Sequence, residues 1–314
     1  MTKKIATRDA YGKALIELGR VNPQVLVLDA DLSKSTKTIG FAKEFPKRFF
    51  NMGISEQNMM GVAAGLATTG KIPFVSTFAM FATGRAFEIV RNSIGYTGLN
   101  VKICATHAGI TVGEDGASHQ ALEDIACMRA IPDMTVLVPS DAIETREMIH
   151  TIVDMEGPAY VRLGRSGVPI INNDTDYKFE LGKGVTLAQG SHATIIASGI
   201  MVKEALEARD ILKKEGLSVG VINIHTIKPI DKELIVRAAK ETGAIVTAEE
   251  HSIIGGLGAA VAEVLVENQP VPMERLGVRD TFGESGKPDE LLKKYALTKD
   301  DIVKAIKRVI ARKD

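Results

Sequence analysis

Short apolar runs alternate with amphipathic stretches along the chain. Runs at 25–28, 73–77, 99–104, 135–138 and 159–163 predict strands. Between them, apolar positions recur at helical spacing over 10–18, 56–68, 84–94, 122–130 and 142–153. Ser55 and Asp141 stand where helix N-caps are expected, and Gly70 where a helix would stop. The polar, turn-rich segment 169–184 interrupts this rhythm and reads as a linker. A second alternating set follows, with strands expected at 193–197, 218–224, 244–248 and 273–278. Its helices are expected at 201–214, 232–241, 259–267, 288–295 and 299–312. Strand and helix in repetition predict two α/β domains, 1–168 and 185–314, each a mostly parallel sheet with helices on both faces.

Composition narrows the function classes. Lys plus Arg equals Asp plus Glu, 39 each, so the formal net charge is zero. No basic stripe marks a nucleic-acid or acidic-membrane surface. A near-neutral surface favours self-association. No apolar run approaches the roughly 20 residues of a membrane span, and the first residues lack an apolar signal core. Cys104 and Cys127, both in apolar segments, read as reduced, buried thiols of a cytoplasmic protein. No C-x-x-C pair or His/Cys cluster suggests a metal site in this chain.

The candidate chemistry gathers at the ends of the expected strands. Residues 105–120, A-T-H-A-G-I-T-V-G-E-D-G-A-S-H-Q, hold two histidines, a Glu-Asp pair and several glycines. Histidine exchanges protons near neutral pH, and loops at strand ends are where a rigid scaffold displays chemistry. Asp31 to Ser35, Glu56, Phe78, Phe81 and Arg165 fall at the ends of neighbouring elements. In a parallel sheet these positions share the carboxyl edge, where ligands bind. Each also has an ordinary reading. Phe78 and Phe81 suit a core, Glu56 suits a helix N-terminus, Arg165 suits a surface ion pair, and His107 alone suits a core histidine. The Gly255-Gly256-Leu257-Gly258 turn lacks the spacing of a phosphate loop, so close packing explains it better.

F-F-N-M-G-I-S-E-Q-N-M, S-T-F-A-M-F and T-H-A-G-I-T-V-G-E-D-G-A-S-H-Q closely resemble the pyrimidine-binding domain of transketolase, a thiamine diphosphate-binding fold. F-G-E-S-G at 282–286 and the helix-rich tail continue the resemblance into a transketolase C-terminal-like domain. The family uses thiamine diphosphate and magnesium to move a two-carbon ketol unit between sugar phosphates. The resemblance implies that Glu56 hydrogen-bonds the pyrimidine ring nitrogen and so activates the coenzyme. Phe78 and Phe81 would form the aromatic wall for the pyrimidine, with Asp31 helping to close that pocket. Family members often carry a third aromatic where this chain has Gly84. His107 and His119 would bond donor hydroxyls and move protons, and Asp115 would read a neighbouring hydroxyl. Arg8, Ser35 and Arg165 match phosphate contacts, which favours phosphorylated sugars over small 2-oxo acids.

Full-length transketolases carry a Gly-Asp-Gly motif that holds magnesium and the diphosphate, and this sequence has none. The expectation is therefore the C-terminal subunit of a split transketolase. A separate N-terminal subunit would hold Mg2+ and the diphosphate, with chains paired as in the family. The 2-oxo-acid dehydrogenase beta subunit and a deoxyxylulose-phosphate synthase-like subunit share this domain order. A structural or regulatory subunit of the same fold is the non-enzymatic alternative. Phe81, where the synthase tends to carry arginine, favours transketolase, and intact Glu56, His107 and His119 argue for catalysis.

Overall fold

The computed structural model describes residues 4–172 and 177–313. The first strands are β1 (Lys4–Ala6), β2 (Val25–Asp29), β3 (Phe49–Asn51), β4 (Ile72–Ser76), β5 (Lys102–Ala105), β6 (Thr135–Leu137), β7 (Ala159–Arg162) and β8 (Gly167–Pro169). The remainder are β9 (Val185–Ala188), β10 (Ala193–Ala197), β11 (Val219–Asn223), β12 (Thr226–Lys228), β13 (Ile245–Ser252) and β14 (Met273–Val278). One sheet runs in the order β12-β6-β7-β5-β4-β2-β3 and a second in the order β14-β13-β10-β11-β9. Every pairing in the first is parallel except that of β12 with β6, and only β9 runs antiparallel in the second.

The local chemistry explains these elements. The strands β2, β5, β7, β10 and β11 are buried along their whole length, as helices on both faces require. Helix Ala142–Ile152 starts where Asp141 accepts the backbone N–H of Glu144 at 2.8 Å. Helix Lys299–Ile310 opens on a capping box between Thr298 and Asp301. Ser55 departs from its expected role, because its side chain makes no cap hydrogen bond to helix Glu56–Ala67.

The two sheets are stitched together. Strand β12 follows β11 of the second sheet yet pairs with β6 of the first, Thr226 against Leu137. Pro169 ends β8, which pairs with β1. Ile171 and Asn172 then donate backbone N–H groups to Asp141 at 2.7 Å each. Tyr177 bonds Glu144, and Phe179 is buried. The segment expected as a linker is thus packed down on both flanks; its residues 173–176 lie outside the described residues. Cys104 is buried as expected, whereas Cys127 is only half-buried. No helix among the described residues is long and apolar enough to cross a membrane.

Candidate active site

Parallel pairing puts the ends of β2, β3, β4, β5 and β7 on one edge of the first sheet. At the end of β2, Asp29 is fully buried and accepts from Leu32 N (2.6 Å), Thr36 Oγ1 (2.6 Å) and Thr38 Oγ1 (2.9 Å). Burial pushes the Asp29 carboxyl up, and these three donors offset part of that. They fold the turn that carries Asp31 and Ser35. Asp31 takes a left-handed conformation, φ +63, and exchanges hydrogen bonds of 3.0 and 3.1 Å with Asn51 at the end of β3.

The aromatic pair follows β4. Phe78 bridges to Thr106, extending the β4–β5 pairing, and its ring lies near-parallel to that of Phe81, 12° apart with centroids 5.9 Å apart. Residues 81–85 form a π-helical turn, so Arg85 lies one wide turn beyond Phe81. Its guanidinium carbon stands 4.9 Å from the Phe81 ring centroid. Arg85 Nη1 donates to Glu56 Oε2 at 2.8 Å; the Glu56 side chain is 1% exposed and that of Arg85 49%. The buried Glu56 side chain therefore has one charged partner in Arg85.

Past β5, His107 also sits at positive φ, +57, and is buried with its ring stacked on Phe78, centroids 3.8 Å apart. Arginine has only donors, so Arg8 Nη1 donates to His107 Nε2 at 3.0 Å. Nδ1 then carries the proton toward Thr106 Oγ1, 2.9 Å away. Burial, then the positive charges of Arg8, Arg165, His119 and Lys37, push the imidazole down to about 3. The neutral imidazole is thus favoured, with Nε2 engaged by Arg8 and Nδ1 by Thr106. His119 stands edge-on to Phe81 (5.5 Å) and Phe78 (6.2 Å).

Arg8 also donates to the backbone oxygen of Ser35 at 3.0 Å, tying the first helix to the β2 turn. Arg165 bonds the Val112 carbonyl and pairs with Glu114 at 3.2 Å, so the ordinary reading of Arg165 as an ion-pair residue describes its present contacts. Asp115 is exposed, and among the described residues no hydrogen bond or ion pair joins it to either histidine. The structure thus links Glu56, Phe81, Phe78, His107, His119, Arg8 and the Ser35 backbone through direct contacts or shared partners. Asp31 lies beside them on the same edge, and Asp115 and Arg165 lie on the histidine loop or against it. Among the described residues no group of three or more His, Cys, Asp or Glu is placed to hold a metal ion.

Sequence reasoning missed the groups that hold the histidine loop from the second domain. Glu250, buried near the end of β13, accepts the Thr111 N–H at 2.6 Å. A Cβ on Gly109 would fall 2.3 Å from the Glu250 carboxyl carbon, which explains that glycine. Arg162 donates to the Glu250 carbonyl (2.9 Å) and to Asp124 (2.8 Å). Gln120 Nε2 reaches the carbonyls of Ile110, Gly113 and Glu284. The consecutive acids Glu249 and Glu250, closing an apolar run, were the available signal. Glu249 caps the glycine turn instead, accepting from Leu257 N and Gly258 N; burial raises its carboxyl to about 7.

Comparison with known proteins bears on this arrangement. The family described as "Transketolase, pyrimidine binding domain" matches residues 3–170, and "Transketolase, C-terminal domain" matches 182–302. The chain belongs to the transketolase family. A chain of Methanocaldococcus jannaschii that carries the name transketolase C-terminal section is 57% identical, over 95% of this chain and 94% of its own length. The 6-deoxy-6-sulfo-D-fructose transketolase subunit SqwH of a Clostridium species is 45% identical over 98% and 95%. Rat transketolase is 41% identical over 98% of this chain, which spans 50% of that longer protein. A split-gene transketolase solved as an inactive β4 tetramer superposes with a TM-score of 0.91, at 58% identity, covering 99% of this chain and all of the other. Transketolases as a family generally depend on thiamine diphosphate.

Proposed function

We propose that this transketolase-family chain is the C-terminal subunit of a split, thiamine diphosphate-dependent enzyme that moves a two-carbon ketol unit between sugar phosphates. The observation that carries the reading is the run of contacts from Glu56 through Arg85, Phe81 and Phe78 to His107 and Arg8. The donor set fits the heterocyclic end of the coenzyme, with a buried carboxylate at one end of two near-parallel phenyl rings and Asp31 beside them. When bound, thiamine diphosphate supplies the carbon nucleophile that no side chain here provides. Glu56 holds the pyrimidine nitrogen, and Phe78 and Phe81 orient the ring by stacking. His119 and His107, whose Nε2 must first release Arg8, bond the donor's hydroxyls, and Asp115 reads a further hydroxyl. Arg8, Ser35 and Arg165 receive the phosphate; Arg8, Arg165 and Lys37 already concentrate positive charge beside His107.

A separate N-terminal subunit would hold Mg2+ and the diphosphate, two copies of each chain making paired sites. This chain on its own would self-associate without activity, as the name of its β4 neighbour says of that protein. The domain division at 169–184 and a cytoplasmic location belong to the same reading. The sulfosugar relative adds a second donor reading, because guanidinium groups pair with a sulfonate as they do with a phosphate. The test is ketol transfer measured with the chain alone and with an N-terminal transketolase subunit added. Phosphorylated ketoses, a sulfonated ketose and pyruvate serve as donors. Activity is expected only in the mixture and with the anionic ketoses. Full activity of the chain alone refutes the split arrangement, and preference for pyruvate refutes the sugar assignment.

A further inference from the structure

We propose that Arg85 occupies the seat of the coenzyme's aminopyrimidine, so that the heterocycle must displace it to enter. The inference rests on the role given above to Glu56 and Phe81. Those two groups are the ones that Arg85 engages: its guanidinium lies 4.9 Å from the Phe81 centroid, and it donates to the buried Glu56 carboxylate at 2.8 Å. A guanidinium and an aminopyrimidine that carries a proton on its ring nitrogen share recognition features, a flat delocalised face for stacking and an edge N–H donor for a carboxylate. A binding surface built for one therefore accepts the other, and both cannot use it at once.

Three features make Arg85 displaceable rather than a fixed wall. Its side chain is 49% exposed, so it can turn into water while Glu56, 1% exposed, cannot. Gly84, where the resemblance expects an aromatic, leaves the residue before Arg85 without a side chain to anchor the turn; a Cβ there would meet Met80 Cε at 2.8 Å. The backbone that carries Arg85 is a π-helical turn at Phe81–Arg85, followed by a short α-helical segment and a second π-helical stretch at Val90–Gly95. Wide turns of this kind pack less regularly than an α-helix and recur at functional sites. Until the coenzyme arrives, Arg85 also keeps a buried carboxylate from standing unpaired, which would be costly.

The test uses the full chain and the coenzyme's pyrimidine fragment, 4-amino-5-hydroxymethyl-2-methylpyrimidine, titrated calorimetrically into wild type, R85M and E56Q. Methionine keeps an apolar stem against Phe81 and removes the competing donor. R85M is expected to bind roughly three- to tenfold more tightly than wild type, the span of one half-exposed charge pair and one cation–π contact. E56Q is expected to bind more weakly. In parallel, the side-chain resonances of isotopically labelled Arg85 should move from a ring-shifted position toward the solvent value as the fragment binds. Equal or weaker binding by R85M overturns the seat, as do arginine resonances that stay put while the fragment binds. If E56Q nonetheless binds more weakly, the role of Glu56 survives that failure. Unchanged affinity in E56Q overturns the underlying reading of Glu56, and the absence of binding by both wild type and R85M overturns the seat.

Discussion

Neutral, buried His107 makes the stability of this chain depend on pH in a defined window. Its imidazole is held at about 3 in the folded chain, against 6.5 for the ordinary side chain. The folded state therefore refuses a proton that the unfolded state accepts between those values. Stability from this group is complete above the unfolded value and is lost as pH falls below it. The loss is about 1.4 kcal/mol per pH unit, so that about 2 kcal/mol is gone at pH 5 relative to pH 8. Other groups act in the same window. His251, lowered to about 4, adds to the loss, whereas Glu249, raised to about 7, opposes it. Total stability is thus a poor test, and the difference between wild type and His107→Gln isolates the term. Glutamine keeps an acceptor for Arg8 and does not titrate. With no tryptophan in the chain, urea unfolding followed by circular dichroism at fixed protein concentration is the assay. Wild type should lose about 2 kcal/mol more than His107→Gln between pH 8 and pH 5. Parallel pH profiles would refute the burial argument for His107.

Three further outcomes follow from the same contacts. Arg165→Ala should weaken phosphate-bearing substrates by about 1.5–3 kcal/mol and barely affect unphosphorylated analogues, read from kcat/KM in the assembled enzyme; equal losses would make Arg165 structural. Asp124→Asn should cost about 3–5 kcal/mol in urea unfolding, because it strips the fully buried partner of Arg162; a loss under about 1 kcal/mol would contradict the pairing. Gly109→Ala, at φ +84 with its new methyl against the Glu250 carboxylate, should destabilise by about 1–3 kcal/mol. It should also raise hydrogen exchange at Thr111, and an unchanged Thr111 amide would show that Glu250 does not hold that loop.

Much of the fold was legible because local pattern decided it. Strands 193–197 and 273–278 and helix 201–214 fall on their expected bounds, each an apolar run or amphipathic face with clear ends. The helix expected at 84–94 instead begins at Phe81 and widens into two π-helical stretches around Phe87–Ile89. Apolar spacing reports a buried face, not the number of residues per turn. The strands missed, β1, β3, β8, β9 and β12, are only three or four residues long. Four of them pair antiparallel with strands distant in sequence, and β3 is a partly exposed edge strand. Such strands owe their form to a partner rather than to their own composition. In the site, residue types at strand ends marked Glu56, Phe78, Phe81, His107 and His119. The sequence did not reveal that Arg85 reaches back 29 positions to Glu56, or that Glu250 reaches back 139 to Thr111.

The second of these contacts ties the second domain to the loop that bears both histidines. His107 and His119 lie on one loop, and three carbonyls of that region converge on Gln120, one of them, Glu284, from the second domain. Glu250 holds the loop's Thr111 amide, and Arg162, at the end of β7, holds the Glu250 backbone in turn. Three of these bonds, Thr111 to Glu250, Arg162 to Glu250 and Gln120 to Glu284, join the histidine loop and the end of β7 to β13 or the 282–286 loop of the second domain. Displacing the second sheet would strip the buried Glu250 carboxylate of its Thr111 amide and Arg162 of one of its three acceptors, a cost above that of a surface contact. The left-handed backbone at His107 is held on both sides within the first domain, by Thr106 N to the Thr77 carbonyl (3.0 Å) and by Ala108 N to the Leu163 carbonyl (3.2 Å). The first sheet carries the groups proposed to react, and contacts from the second domain hold the loop that bears two of them.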